Sequence, residues 1–185
     1  MSSLDNFLAT RSGWLFALSA SAGRGSDWGI VDEFLGDVQL SSKESDDGYL
    51  FSSQVWGKVL NRDSVIQKGD GIAFYHSKRA EFPYGDRHKR RQRISLMGIV
   101  EECQQAGQDV SFLKVRIPED VFEVFTGEEA IVWTPEREQA FSDCGLKDGP
   151  VRAFYPIPPT SWATFLSDVA KMVEEYTGEP VLGWK

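Results

Sequence analysis

Tyr75, His76 and Ser77 stand together at the end of an apolar run, Gly71-Ile72-Ala73-Phe74, which follows a Gly69-Asp70 turn pair. A phenol, an imidazole and a hydroxyl at a strand end are three kinds of hydrogen-bonding group, a set that can read the edge of a polar ring. Two readings stay open from the segment alone. Either the three side chains are exposed at the mouth of a pocket, or Tyr75 and His76 cap a strand with their polar atoms satisfied internally. As a catalytic set they are poor, because successive strand residues point to opposite faces and His76 and Ser77 then form no direct dyad. His88 lies in a basic run, and Glu101 and Glu102 carry no partner motif. No Gly-x-x-x-x-Gly-Lys loop, zinc-deaminase signature or nuclease metal motif is present. The expectation is a binding module without a cofactor, not an enzyme.

The 185-residue chain carries a net charge of −8, which argues against a phosphate-rich partner until its distribution is examined. Lys78, Arg79, Arg87, Lys89, Arg90, Arg91 and Arg93 oppose Glu81 and Asp86, a local excess of +5 that leaves −13 for everything else. Phe82, Pro83, Tyr84 and Gly85 precede the densest part of that run. Rings mixed with cations suit bases and phosphates together, and the run begins where the Tyr75-His76-Ser77 strand ends. The competing reading is a solvated loop that balances an acidic body.

The hydrophobic fraction of 41% and charged fraction of 26% are those of a folded domain, and the length suits one domain over residues 1–185. No apolar run approaches the ~20 residues that span a bilayer, and Met1 to Phe7 lacks the basic start and apolar stretch of a secretory signal, so a cytoplasmic location is expected. Cys103 and Cys144 have no second thiol or histidine at metal-ligand spacing.

The elements that must position these residues are mixed. Trp14 to Ser19 reads as a buried strand, followed by a helix over about Asp27 to Leu35 with Ser26 as N-cap, and Ser41 to Gly48 reads as a polar, mobile stretch. Gly71 to His76, Ile94 to Glu102 and Val110 to Arg116 are further strands, the last two joined by a Gln-Ala-Gly-Gln-Asp turn. Pro118 to Phe125 and a start at Thr134-Pro135-Glu136 read as short helices. Arg152 to Tyr155 is strand-like before a stop at Pro156 to Pro159. Trp162, Phe165, Leu166, Val169, Met172, Val173 and Tyr176 recur at helical spacing over about 161–177 until Gly178 ends the run, a stripe expected to pack on the sheet as core. Short strands interrupted by helices give an α+β class and a small, mostly antiparallel barrel with a core at about 12–160.

Five pieces in order resemble the EVE domain of the PUA-like superfamily, related to the YTH, ASCH and SRA-like readers of modified bases. They are Trp14-Leu15-Phe16-Ala17-Leu18-Ser19, Trp56 ahead of Asn61 and Arg62, the Gly69-Asp70 turn, Phe74-Tyr75-His76-Ser77, and Gly98-Ile99-Val100. The match is best from Trp14 to Val100; the 41–48 segment reads as an insertion and the 82–93 loop as longer than usual. The resemblance implies a PUA-like barrel whose pocket accepts a modified base, such as methylated cytosine or adenine, in DNA or RNA. Stacking would fall to Trp56, Trp28 and Tyr75, although Trp28 also suits simple packing on the barrel. Ser19, His76 and Ser77 would read polar atoms, Phe16, Leu18 and Val55 would line an apolar niche, and Lys78, Arg79, Arg87, Lys89, Arg90, Arg91 and Arg93 would contact phosphates. A partner nuclease or other effector fits the family context. The alternatives are a small-molecule or nucleotide pocket whose phosphate the basic loop serves, and a hydrolase acting on nucleic acid.

Overall fold

The computed structural model of the chain describes residues 2–18, 31–41, 48–59, 63–76, 93–126 and 153–181. A helix absent from the sequence-based expectations opens it: α1 (Ser3–Leu8) is closed by a capping box in which the Asp5 N–H donates to the Ser2 hydroxyl at 3.1 Å and the Ser2 N–H donates to the Asp5 carboxylate at 2.9 Å. The Ser-x-x-Asp spacing was the available signal. The hydrogen bond from the Ser2 backbone, and then that from its side chain, hold the Asp5 carboxyl below its ordinary value.

β1 (Gly13–Leu18) follows, then α2 (Val31–Ser41), β2 (Tyr49–Val59), β3 (Gly71–His76), β4 (Arg93–Ala106), β5 (Asp109–Ile117), α3 (Glu119–Thr126), β6 (Ala153–Ile157) and α4 (Pro159–Thr177). The helix expected over Asp27 to Leu35 is present from Val31 and runs on to Ser41, while residues 27–30 and 42–47 and the Thr134-Pro135 start lie outside the described residues. β2 is a strand that local pattern does not announce. Its inward series, Tyr49, Phe51, Ser53, Val55, Gly57 and Val59, contains a serine and a glycine and so dilutes the alternation that marks a strand.

The six strands close into a barrel in the order β1-β3-β4-β5-β2-β6. β1 with β3 and β2 with β6 run parallel, and the other four pairs are antiparallel. The fold is thus a mixed α+β barrel with a few short helices, as expected. β6 continues through Pro156 to Ile157 instead of stopping at the proline. Its ladder to β2 ends at Phe154, so that flank asks for no amide at Pro156.

Two faces of the wall are distinguishable. Phe51 and Phe74 sit on opposite walls with ring centroids 5.2 Å apart, which identifies their side as the lumen. Phe16 lies on the same side, stacked on Phe154 at 4.2 Å and 9° and tilted against Phe74 at 6.1 Å. On the outer side α4 lays Trp162 across Gly13 and Gly71, which are register partners; a Cβ on either would stand 2.1 or 1.9 Å from the indole. The glycines make a flat seat for the ring, and Trp162 Nε1–H donates to Thr10 Oγ1 at 3.0 Å. Behind Trp162, Phe165, Leu166, Val169 and Val173 are buried as the periodicity predicted and Met172 is partly buried; Ala170 joins the buried set, whereas Tyr176 is 59% exposed and does not belong to the stripe. Gly178, at φ 72°, ends the helix with its N–H on the Glu174 carbonyl.

Candidate functional site

The register brings together strand ends that are far apart in sequence. Parallel pairing sets Leu18 opposite His76, and antiparallel pairing sets His76 opposite Arg93. The chain therefore leaves the described barrel after Leu18 and after His76, and re-enters at Arg93, all at one end. Ser19, Ser77, Lys78, Arg79, Arg87, Lys89, Arg90 and Arg91 follow from these strand ends in sequence but lie, with Trp28, outside the described residues. Trp56, His76 and Arg93 are placed by strand position, Trp56 on β2, His76 at the end of β3 and Arg93 at the start of β4.

Among the predicted pocket residues whose side chains are described, the structure makes a division. Phe16 and Leu18 are 0% exposed and share the lumen side of β1; Val55, 2% exposed, is on the lumen side of β2. The expectation of Tyr75 at an exposed mouth is corrected: it is 4% exposed. It also shares the parity of Gly71 and Ala73, on the side of β3 that receives Trp162, whereas Phe74 faces the lumen. Tyr75 and the Phe16–Leu18 niche are thus on opposite sides of the wall. Alternation along β3 separates Tyr75 from Phe74, but that Phe16 and Leu18 share the Phe74 side follows only from the parallel pairing of β1 with β3.

A β-bulge shapes this end. Phe74 pairs with Leu96 and Tyr75 with Ile94, so Ser95 has no opposite number on β3. It is fully buried, and its hydroxyl donates to the Phe74 carbonyl at 3.3 Å. Such bulges re-aim a strand locally, here within two residues of Arg93.

The opposite end is tied by the Gly69-Asp70 turn. Asp70 accepts from the Ser12 hydroxyl, from Trp14 Nε1–H at 2.9 Å and from the Gln67 N–H at 2.8 Å. Gly69, at φ 93°, adopts a backbone conformation that favours glycine and donates its N–H to the Val100 carbonyl, while the Val100 N–H donates back to the Asp70 carbonyl. The turn joins the starts of β1 and β3 to β4. Its acidic residue is engaged in structure, far along both strands from Leu18 and His76. Gly98 serves close approach, since a Cβ there would lie 2.5 Å from the Arg116 carbonyl oxygen.

Two further polar groups fall on β4. Glu101 sits at a second bulge, where its carboxylate takes the Arg116 guanidinium and lies 3.7 Å from the Lys114 ammonium. Cys103 is half-buried, and burial, reinforced by the charge of Asp70, pushes its thiol up to about 11. The folded chain then holds a proton that the unfolded chain releases from about pH 9, so this group subtracts stability as pH rises from about 9 towards 11. Thiol-labelling rates for Cys103, followed in a Cys144→Ala background, are expected to keep climbing about tenfold per pH unit beyond pH 9. A plateau at pH 9 would mean an unshifted thiol.

Comparison of the chain with protein-family models, with curated proteins and with solved structures finds no match. The residues that sequence reasoning missed are the rings that fill the lumen, Phe34, Phe51, Phe74 and Phe154, whose mutual contacts join α2, β2 and β3, and, through Phe16 of β1, β6. Alternation could have assigned Phe51 and Phe74 to one face, but no local signal ties Phe34 to either.

Proposed function

We propose that this chain is a nucleic-acid-binding module of the PUA-like kind, resembling EVE domains, that recognises a modified base at the barrel end where Leu18, His76 and Arg93 meet. The observation that carries this reading is the register itself. β1 and β3, which carry Trp14 to Leu18 and Phe74 to His76 of the resemblance, lie side by side in parallel with Leu18 opposite His76, and in sequence the basic segment follows His76 and runs into Arg93. A base held there would gain ~1 to 3 kcal/mol from each aromatic face it stacks on. Trp56, at the irregularity of β2 between Gln54 and Gly57, is the platform that the resemblance implies, and the base edge would be read by His76, Ser77 and Ser19. An added methyl contributes ~0.8 kcal/mol, so discrimination requires a close-fitting apolar niche such as Phe16, Leu18 and Val55 could line. Arg87, Arg90, Arg91 and their neighbours would supply the charge for the phosphates.

Fluorescence anisotropy against matched strands, plain or methylated or hydroxymethylated at cytosine or adenine, in DNA and RNA, tests the proposal. One modified strand is expected to bind tighter than its plain twin, and affinity is expected to fall steeply with salt. Equal affinity for all strands would sink base reading. Trp56→Ala should remove the preference. Neutralising Arg87, Arg90 and Arg91 should weaken every strand alike and reduce the salt slope by about one for each phosphate that is no longer neutralised.

A further inference from the structure

A ring from a helix, and not from the sheet, enters the lumen. Phe34 of α2 is fully buried, with its centroid 4.9 Å from Phe74 and 5.7 Å from Phe51, so it packs against both members of a ring pair that itself meets across the barrel at 5.2 Å. Both partners lie towards the end that Leu18 and His76 mark: Phe74 is two residues before His76, and Phe51 pairs with Val115 near the start of β2.

The helix that carries Phe34 is weakly built. It is 11 residues long, shorter than a helix that is stable alone, and it rests on Phe34, Leu35 and Val38 as its buried side chains among those described. Gly36 lies in its middle, where a Cβ would meet nothing within 4 Å among the described residues, so no described neighbour asks for a residue that lowers helix stability about fivefold against alanine. Glycines at Gly13, Gly71 and Gly98 are each explained by a close neighbour, and this one is not.

We propose that α2 is a displaceable plug: it unravels locally to withdraw Phe34, and the space it vacates against the Phe51–Phe74 pair takes the planar ring of the ligand. The ligand's identity as a base rests on the reading above; the opening itself does not. Ring replaces ring, so the apolar lumen stays covered in both states, and the apparent affinity is reduced by the small fraction of open molecules.

Hydrogen exchange on the full chain without nucleic acid tests the opening. Amides of residues 34–41 are expected to exchange at least tenfold faster than those of β1, β3 and β5, through an opening that leaves the strands protected. Gly36→Ala is expected to slow exchange in α2 about fivefold and leave β5 unchanged. A second arm uses Phe34→Ala, which should bind benzene in the vacated apolar space while the unaltered protein does so more weakly. If α2 amides exchange at the rate of the barrel strands, and Gly36→Ala slows all of them equally, α2 is fixed core and the proposal is overturned. With a preferred modified strand, Gly36→Ala should weaken binding by the same factor of about five. Unchanged affinity overturns the plug, whereas equal affinity of the unaltered protein for every strand overturns base reading instead.

Discussion

Trp162→Ala is expected to destabilise the protein by about 4 kcal/mol, the range for removing a fully buried tryptophan. The indole is 1% exposed, anchored by Thr10 Oγ1 and met edge-on by Phe7 at 6.4 Å and 87°. Its loss would unseat the first turn of α4 from the sheet. Gly71→Ala in the unaltered chain is expected to cost about 2 kcal/mol, since a methyl 1.9 Å from the ring forces the whole indole outward against Phe7 and Thr10. The two changes should not add. With the indole gone, the methyl at position 71 enters empty space and partly refills it, so the double variant should be more stable than the sum of the singles by at least about 1 kcal/mol. Urea unfolding of the four proteins measures this. Additivity within about 0.5 kcal/mol would mean that the glycine seat does not bear on Trp162.

The second large effect is expected at the Gly69-Asp70 turn. Asp70→Ala removes the acceptor of three hydrogen bonds, leaves the mostly buried Trp14 Nε1–H without its partner, and should cost about 3 kcal/mol. Asp70→Asn should cost about 1 kcal/mol, because an amide oxygen in the place of Oδ2 still accepts from Trp14 and Gln67 and its amino group can donate to Ser12. Urea midpoints for the two variants give the order. Both should also bring the Cys103 thiol down from about 11, since Asp70's charge adds to the effect of burial there; the part due to burial would remain. Equal losses for alanine and asparagine would show that charge, and not acceptor geometry, is what the turn uses.

Asp70 and His76 divide the tasks of one segment. The Gly-Asp pair and the Tyr-His-Ser end are the most specific pieces of the resemblance, yet they lie at opposite ends of one short strand. The turn holds β1, β3 and β4 in register; the strand end lies beside Leu18 and Arg93. Their shared appearance in one segment reflects a strand of six residues that must be both anchored and aimed.

Much of the architecture was legible because its signals are local. The α4 stripe, the proline-led start of α3 and the β4–β5 hairpin around Gly107 follow from periodicity, capping and turn chemistry within a few residues of each other, whereas Pro159, read as part of a stop, opens α4. Gly13, Gly71 and Gly57 were opaque for the opposite reason. Each is small because a ring from a distant segment occupies its place: Trp162 over the first two, and Phe154, whose ring would stand 2.5 Å from a Cβ on Gly57, beside the third. A missing side chain carries no mark of the one that fills its space.

The sequence by itself determined that this is an α+β chain, with polar groups at the end of the 71–76 strand and positive charge gathered in the run that follows. Tertiary structure alone decided the parallel pairing of β1 with β3, which sets Leu18 beside His76, the turning of Tyr75 away from Phe16 and Leu18, and the entry of Phe34 into the lumen. The physical reason is that periodicity reports that a residue has a buried side, while which side it is, and what fills the space there, depends on closing the barrel.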